Sequence, residues 1–176
     1  MNYRKVWRFI SLAVAAWLLP ALAVAQVTPV IFERTEIRIE PAPALAREGE
    51  ATLLRPTTSY DIELRSEEAL RLEYIHTLNE LSDMTGVMIM FSAPTIAPLP
   101  ALQVFTPVDA LFVAEDGTIL QILPNVALAE MTQDIMAREP VKAFLFLKAG
   151  TVAAKMLQPH DTVLGSMFMA APPVMQ

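Results

Sequence analysis

Residues 107–123 read PVDALFVAEDGTILQIL, and this stretch constrains the fold more than any other part of the chain. Two apolar runs, residues 108–114 and 118–123, flank the dipeptide Asp116-Gly117. Both central residues of a type I′ turn need a positive φ, and Asp-Gly tolerates this best, so the pattern predicts a β-hairpin with that turn. A hairpin of this kind indicates a β-rich domain.

The first residues have the pattern of an export signal. A basic start precedes an apolar run over residues 9–24, and Ala-Val-Ala at 23–25 provides a small-x-small cleavage site before Gln26. This pattern predicts a secretory signal over residues 1–25 and a periplasmic or secreted location. The alternative is an uncleaved anchor, but a spanning helix needs about 20 apolar residues and Pro20 would break one near its end. No membrane span is expected after cleavage.

The composition excludes several kinds of partner and of site. The chain has no Cys, so it can form neither a disulfide nor a thiolate metal site. The predicted signal contains three of the thirteen Lys+Arg and none of the nineteen Asp+Glu, which leaves ten basic and nineteen acidic residues, a net charge of −9 with His neutral. Because phosphate backbones and anionic lipids repel such a chain, we expect no nucleic acid or membrane surface as partner.

The apolar pattern predicts an α+β, mostly β fold, a small barrel-like domain of about six or seven short strands with one main helix. The helix covers residues 66–81 with Ser66 as its N-cap. A shorter helix is expected at 151–157, and a second helix, at 126–137, is one possibility within the open region 124–139. Besides the hairpin, strands are expected at residues 36–40, 59–65, 87–91, 141–147 and 162–168. The first two alternate apolar and polar residues and are expected to be half-buried, with Asp61, Glu63 and Arg65 on the polar side of 59–65.

The predicted organisation along the chain is a signal at 1–25, an N-terminal strand and loop at 26–58, a β-rich domain at 59–168 and a disordered tail at 169–176. Strand 36–40 is expected to belong to the β-rich domain. The structures of residues 41–58 and 124–139 are left open.

Four stretches together resemble domain of unknown function family 192 (DUF192). They read SYDIELRSEEA from residue 59, GVMIMFSAP from residue 86, the hairpin, and PVKAFLFLKAGTVAAKMLQPHDTV from residue 140. The resemblance covers residues 36–164 and implies a small, mostly β domain, often exported in bacteria, with no established activity. Asp109 matches an Asp of the family, whereas the family's aromatic-Met-Lys-Asn-Thr signature reads PALQV here, at residues 100–104. His160 replaces a usual Gly and is compatible with a positive φ.

Asp109 allows two interpretations. As an acid in an apolar strand it is a candidate for ligand contact or acid–base chemistry. The alternative, which we favour, is a structural carboxylate that accepts backbone hydrogen bonds. We predict no catalytic residue, because no second carboxylate or His has a helpful spacing and the sequence contains no nucleophile motif or phosphate loop. An apolar or mixed ligand groove is expected near Gln103, Val104 and Asp109, with Asp109 partly exposed.

Methionine is abundant, at ten residues. Soft thioether and imidazole groups bind copper(I), so an alternative function is a copper carrier that uses Met88, Met90, Met167, Met169 and His160. The favoured interpretation is that Met fills gaps in the core. His76 and His160 have no zinc-type spacing, and the adjacent acids Glu115 and Asp116 predict a solvated turn rather than a calcium loop. We expect no cofactor.

Three functions therefore follow from the sequence. The first is an exported, non-catalytic envelope protein that binds an unknown protein or small ligand on a compact β domain. The second is the copper(I) carrier. The third is an uncharacterised enzyme that uses Asp109, which would need a second polar group within hydrogen-bond reach of that carboxylate.

Overall fold

A computed structural model describes residues 33–43, 55–68 and 75–168. Seven strands form one sheet: β1 Arg34–Glu40, β2 Thr58–Ser66, β3 Thr85–Thr95, β4 Val108–Val113, β5 Ile119–Val126, β6 Val141–Lys148 and β7 Thr162–Leu164. The α-helix α1 spans Thr151–Lys155, and 3-10 helices span His76–Asn79, Leu128–Glu130 and Ser166–Phe168. The predicted signal peptide and the predicted tail lie outside the described residues. No helix within the described ranges has the length and apolar character needed to cross a membrane.

The strand order is β5-β4-β6-β3-β2-β1-β7, and the sheet curls into a half-barrel. Neighbouring strands are antiparallel except for β2 and β3, which are parallel. At one end the two outer strands approach each other, because an isolated bridge joins Thr118 to Thr162. The predicted mostly β, barrel-like fold is confirmed.

The sheet has a hydrophobic core on each face. One cluster includes residues from both outer strands, such as Ile119 and Val163, so it lies on the concave side. The other packs beneath the segments around Leu78, Leu102 and Leu128, on the convex side. Because strands β3, β4 and β6 are covered on both faces, they read as near-continuous apolar runs.

The hairpin lies where it was predicted, but its turn is of another kind. Among the described residues other than glycine, only three have a positive φ, and Asp116 is not one of them. Gly117 has φ 85°, and its N–H donates to the carbonyl of Ala114 at 3.1 Å. This geometry is a type I turn followed by a left-handed glycine, which also suits a hairpin. A Cβ on Gly117 would lie 2.3 Å from the carbonyl oxygen of Val163, so the turn packs directly against β7.

The main predicted helix differs from the structure at both of its described ends. Ser66 is the last residue of β2 rather than an N-cap, because it pairs in parallel with Met90 of β3. Residues 76–79 form a 3-10 helix, and residues 69–74 lie outside the described part of the chain. The short helix expected at 151–157 is confirmed as α1, whereas the region 126–137 has a 3-10 turn and no α-helix.

Two smaller predictions were right in part. The closing strand expected at 162–168 ends at Leu164 and continues as a 3-10 turn. Strand β2 alternates as expected, but Glu63 on its polar side is buried. Arg65 and the hydroxyl of Thr77 bind the Glu63 carboxylate there.

Candidate functional site

Asp109 is the second residue of β4, and its side chain is completely buried. Its Oδ1 accepts hydrogen bonds from the backbone N–H groups of Asn125 at 2.8 Å and of Gly150 at 3.2 Å. Its Oδ2 accepts one from the N–H of Val152 at 2.7 Å. All hydrogen bonds that the described residues give Asp109 therefore come from the backbone.

These bonds connect β4 to the end of β5 and to the start of α1. The N–H groups in the first turn of a helix have no partner within the helix, and Asp109 supplies one from the neighbouring strand. Asn125 and Gly150 both have a positive φ, at 55° and 88°, so the carboxylate also holds two bends of the backbone. Three donors compensate the carboxylate for its lost water. This geometry is that of the structural interpretation.

The three residues of the predicted groove differ in their exposure to solvent. Gln103 is exposed, but Val104 is buried in the convex core and Asp109 has no exposed surface. The expected partial exposure of Asp109 is wrong, because β5 and α1 close over the carboxylate. Ligand contact at these three residues stays a prediction.

Tyr60 is the titratable side chain most affected by its surroundings on the concave side. Its hydroxyl is buried and has no hydrogen-bond partner among the described residues. Burial, and in second place the negative charge of Asp109, raises the pKa of Tyr60 to about 12. The phenol is therefore neutral at physiological pH and makes no hydrogen bond to the carboxylate, so the two do not form an acid–base pair.

A second buried carboxylate, Asp161, holds the chain together near β7. Both its oxygens bind the guanidinium of Arg55 at 2.7 Å, in the two-pronged geometry that suits this pair. Backbone N–H groups of Ala42 and Gln158 donate to the same carboxylate at 2.9 and 2.8 Å. Burial alone would raise the pKa of Asp161, but the hydrogen bonds and the charge of Arg55 outweigh it and lower this pKa. The network is structural, because each oxygen of the Asp161 carboxylate already accepts two hydrogen bonds.

A cleft of about 560 Å³ lies where β1, β7 and the hairpin turn meet. We call it the β1–β7 cleft. Its lining includes Glu36, Arg38, Asp116, Leu164, Ser166 and Phe168. This volume falls within the range of about 300–1,000 Å³ that is typical of small-molecule sites.

The charged side chains of the β1–β7 cleft are available to a ligand. Glu36 and Arg38 point away from the concave core, because Ile37 and Ile39, which alternate with them along β1, point into that core. Both are exposed, and neither forms an ion pair or a side-chain hydrogen bond with any described residue. Asp116 accepts a hydrogen bond from the N–H of Thr118 at 2.9 Å, and this bond is the main reason that the pKa of Asp116 is lowered.

Sequence reasoning did not find the β1–β7 cleft. Glu36 and Arg38 read as the solvated face of an alternating strand, which is what such a pattern predicts. Only the pairing of β1 with β7, at Arg38 and Leu164, brings the strand next to the hairpin turn. No local sequence pattern predicts the pairing of β1 with β7.

Three of the methionines proposed as copper ligands pack against the same concave core. Met88 is completely buried, while Met90 and Met167 are partly buried at its margin. His160 is exposed in the turn before β7, with the positive φ that the sequence allowed, at 73°. Met169 lies outside the described residues. The methionines are thus neither all buried nor dispersed, and copper binding stays a prediction.

No other arrangement in the described ranges suggests a metal centre. No group of three or more His, Asp or Glu side chains there has metal-binding geometry. His76 lies 3.2 Å from Glu80 in an exposed pair one helical turn apart.

The family model for DUF192, described as "Uncharacterized ACR", matches residues 52–165. The chain belongs to the DUF192 family. The matched residues include the hairpin, β6 and Asp109, which the sequence analysis had matched to an Asp of DUF192. No curated protein matches the chain.

Two solved structures share the fold of this DUF192 chain. A chain from Sinorhizobium meliloti, titled a "putative transcription regulator", is 25% identical with a TM-score of 0.65, and the match covers 80% of this chain and 99% of that one. A protein of unknown function from Novosphingobium aromaticivorans is 20% identical with a TM-score of 0.63, covering 79% of this chain and 91% of that one. The second likeness shows the fold alone.

Proposed function

We propose that this DUF192 protein is exported and binds a small ligand in the β1–β7 cleft without catalysing a reaction. The observation that carries the proposal is the cleft itself, which combines an apolar base with exposed charges of both signs that no described residue neutralises. Ligand sites typically have this composition, a mostly apolar cavity with a few polar groups that orient the ligand.

The buried groups of the domain support a binding function rather than an enzymatic one. An enzyme that uses Asp109 needs a second polar side chain within hydrogen-bond reach, and the described residues give that carboxylate only backbone donors. Asp161 is likewise saturated by Arg55 and by backbone N–H groups. Asp161 accepts four hydrogen bonds, and Asp109, which accepts three, is completely buried, so neither carboxylate is open to a substrate.

Export rests on the sequence pattern of residues 1–25. The test is mass spectrometry of the protein recovered from the periplasm or the medium of a bacterial host. We expect a mature chain that begins at Gln26. Recovery of the full-length chain in the membrane fraction would favour the anchor, and its retention in the cytoplasm would contradict export.

A function in transcription is the alternative suggested by the name of the Sinorhizobium meliloti neighbour. The formal net charge of −6 for the whole chain argues against it, since DNA affinity depends on cationic side chains that neutralise phosphates. Binding to random-sequence DNA at low salt would overturn this argument.

Copper(I) carriage is the second candidate function, because Met88, Met90 and Met167 pack on one cluster. A chromophoric copper(I) chelator in competition with the protein tests it. A carrier would strip copper from the chelator, and the double variant Met90→Leu, Met167→Leu would lose that ability. No transfer of copper would eliminate this candidate.

Ligand binding is tested by thermal melting of the protein against a panel of envelope metabolites. A ligand at 100 times its Kd adds about 2.7 kcal/mol of stability, which raises the melting temperature by several degrees. The variant Ser166→Trp fills the rim of the β1–β7 cleft, and Gln103→Trp obstructs the groove that the sequence predicted. We expect Ser166→Trp alone to abolish the shift. The reverse result would move the site to the predicted groove.

A further inference from the structure

We propose that the ligand of the β1–β7 cleft is a free basic α-amino acid, of the lysine, ornithine or arginine type. This inference rests on the proposed binding function and deepens it. It follows from the number, sign and placement of the charges around the cleft.

The first step is the charge inventory. Two carboxylates, Glu36 and Asp116, and one guanidinium, Arg38, line the cleft. Glu36 and Arg38 are two positions apart on one face of β1, yet no ion pair joins them. Asp116 stays ionised at neutral pH, since the N–H of Thr118 donates to its carboxylate. The cleft therefore offers two negative groups and one positive group.

The second step is complementarity. A guanidinium binds a carboxylate through two parallel hydrogen bonds, and each carboxylate binds an ammonium group. The set that neutralises this cleft is one carboxylate and two cations, which is the charge set of a basic α-amino acid. A diamine would bring an extra cation towards Arg38, a dicarboxylic acid would be repelled by Glu36 and Asp116, and a neutral amino acid would leave one carboxylate unpaired.

The third step is the body of the ligand. Leu164 and Phe168 are half-buried and add apolar surface to the lining of the same cleft. The methylene chain of a basic amino acid can lie along such surface while its ends stay polar, as the stems of Lys and Arg do in proteins. The cavity leaves room for this chain together with bridging water, which is usual in polar sites.

Isothermal titration with four matched probes tests the inference. L-lysine has the full charge set, cadaverine lacks the carboxylate, norleucine lacks the side-chain amine, and Nα-acetyl-lysine lacks the free α-amine. We expect L-lysine to bind more than twofold and up to about fivefold more tightly than each of the other three, since an exposed ion pair is worth up to about 1 kcal/mol. Equal binding of Nα-acetyl-lysine would point instead to the carboxyl-terminal residue of a peptide, and would overturn the free amino acid.

Two charge variants assign the contacts to the carboxylate and to the side-chain amine of the ligand. Arg38→Gln should remove the preference for L-lysine over cadaverine, and Glu36→Gln should remove the preference for L-lysine over norleucine. The exposed pair Arg34 and Asp61 provides matched controls, because Arg34→Gln and Asp61→Asn change the same charges outside the cleft and should leave both preferences intact. If the controls change binding as much as the cleft variants, general attraction to an acidic surface explains the result.

Failure of this inference can be separated from failure of the proposed function. If no amino acid binds but another metabolite does, and Ser166→Trp blocks that metabolite, the cleft is a ligand site and the amino acid assignment is wrong. If no metabolite binds and Ser166→Trp changes nothing, both are wrong. Binding of the four probes within twofold of one another would also overturn the inference.

Discussion

The substitution Asp109→Asn tests whether this carboxylate is structural. The wild-type side chain satisfies three buried N–H groups, two through Oδ1 and one through Oδ2. Asparagine has a single side-chain carbonyl oxygen. The amide orientation that keeps more hydrogen bonds places this oxygen where Oδ1 was, so that it still accepts from the N–H groups of Asn125 and Gly150. The amide NH₂ group then faces the N–H of Val152, which loses its acceptor. The substitution therefore leaves buried donors unsatisfied, namely the N–H of Val152 and the amide NH₂ that faces it, and weakens two further bonds.

The expected loss follows from these bonds. A buried donor without a partner costs about 1–3 kcal/mol, and a hydrogen bond to a charged group contributes about 1 kcal/mol more than one to a neutral group. A neutral amide costs less to bury than a carboxylate, which offsets part of the loss. We expect the free energy of unfolding to fall by about 2–3 kcal/mol, out of the roughly 5–15 kcal/mol typical of a domain.

Urea denaturation followed by circular dichroism measures this difference, and hydrogen exchange locates it. The amide of Val152 should lose protection in Asp109→Asn beyond the loss caused by lower global stability. The control Asp61→Asn removes an exposed carboxylate 3.4 Å from Arg34 and should change stability by less than about 0.5 kcal/mol. If the two variants are equally stable, the hydrogen bonds of Asp109 do not hold α1, and the structural interpretation is wrong.

Three further predictions concern the packing around the sheet. Asp161→Asn should cost about 3 kcal/mol at pH 7, because it leaves the guanidinium of Arg55 partly buried without its counterion; denaturation at several pH values measures it. Because the pKa of Asp161 is lower in the folded state than in the unfolded state, its ionised carboxylate stabilises the fold above the unfolded-state pKa, and this stabilisation is lost as the pH falls through the folded-state pKa. The difference in unfolding free energy between wild type and Asp161→Asn should therefore narrow below about pH 4. A difference that stays constant with pH would contradict the lowered pKa of Asp161. Gly117→Ala should lower the melting temperature more than Gly150→Ala. Both glycines have a left-handed φ, but only at Gly117 would a new Cβ meet the backbone of another strand. Equal effects on the melting temperature would mean that the hairpin turn does not contact β7. Tyr60→Phe should leave the free energy of unfolding, measured by urea denaturation, unchanged or higher, because the hydroxyl of Tyr60 has no hydrogen-bond partner among the described residues. A fall in this free energy of more than about 1 kcal/mol would show that the hydroxyl is hydrogen-bonded.

The strands could be predicted from the sequence because their signal is local. A strand that is covered on one face alternates apolar and polar residues, as in β1 and β2, and a strand that is covered on both faces is continuously apolar, as in β3, β4 and β6. Both patterns can be read directly from the sequence. The hairpin was located by Asp116-Gly117, but its turn type was not. Positive φ is needed only at Gly117, where β7 packs against the turn, and this contact is not visible in the sequence.

The errors arose where tertiary pairing overrides local preference. Ser66 followed by two acids is a good helix start, yet it continues β2 because a parallel partner, Met90, is available. Glu63 was expected on the polar side of β2, but it is buried, where the guanidinium of Arg65 balances its charge and the hydroxyl of Thr77 donates a hydrogen bond to it. The β1–β7 cleft could not be predicted for the same reason, since it is formed by residues far apart in the chain.

The position of β1 between β2 and β7 affects how the chain folds. Ala42 and Asp161, which bond beside that pairing, are 119 residues apart in sequence. Closing such a long loop is entropically costly, and non-local strand pairing slows folding. A chain that emerges N-terminus first, from a ribosome or a translocation channel, completes β1 long before β7 exists. Until β7 arrives, β1 is an edge strand open to other chains, and the exposed charges of Glu36 and Arg38 along it oppose aggregation during that interval.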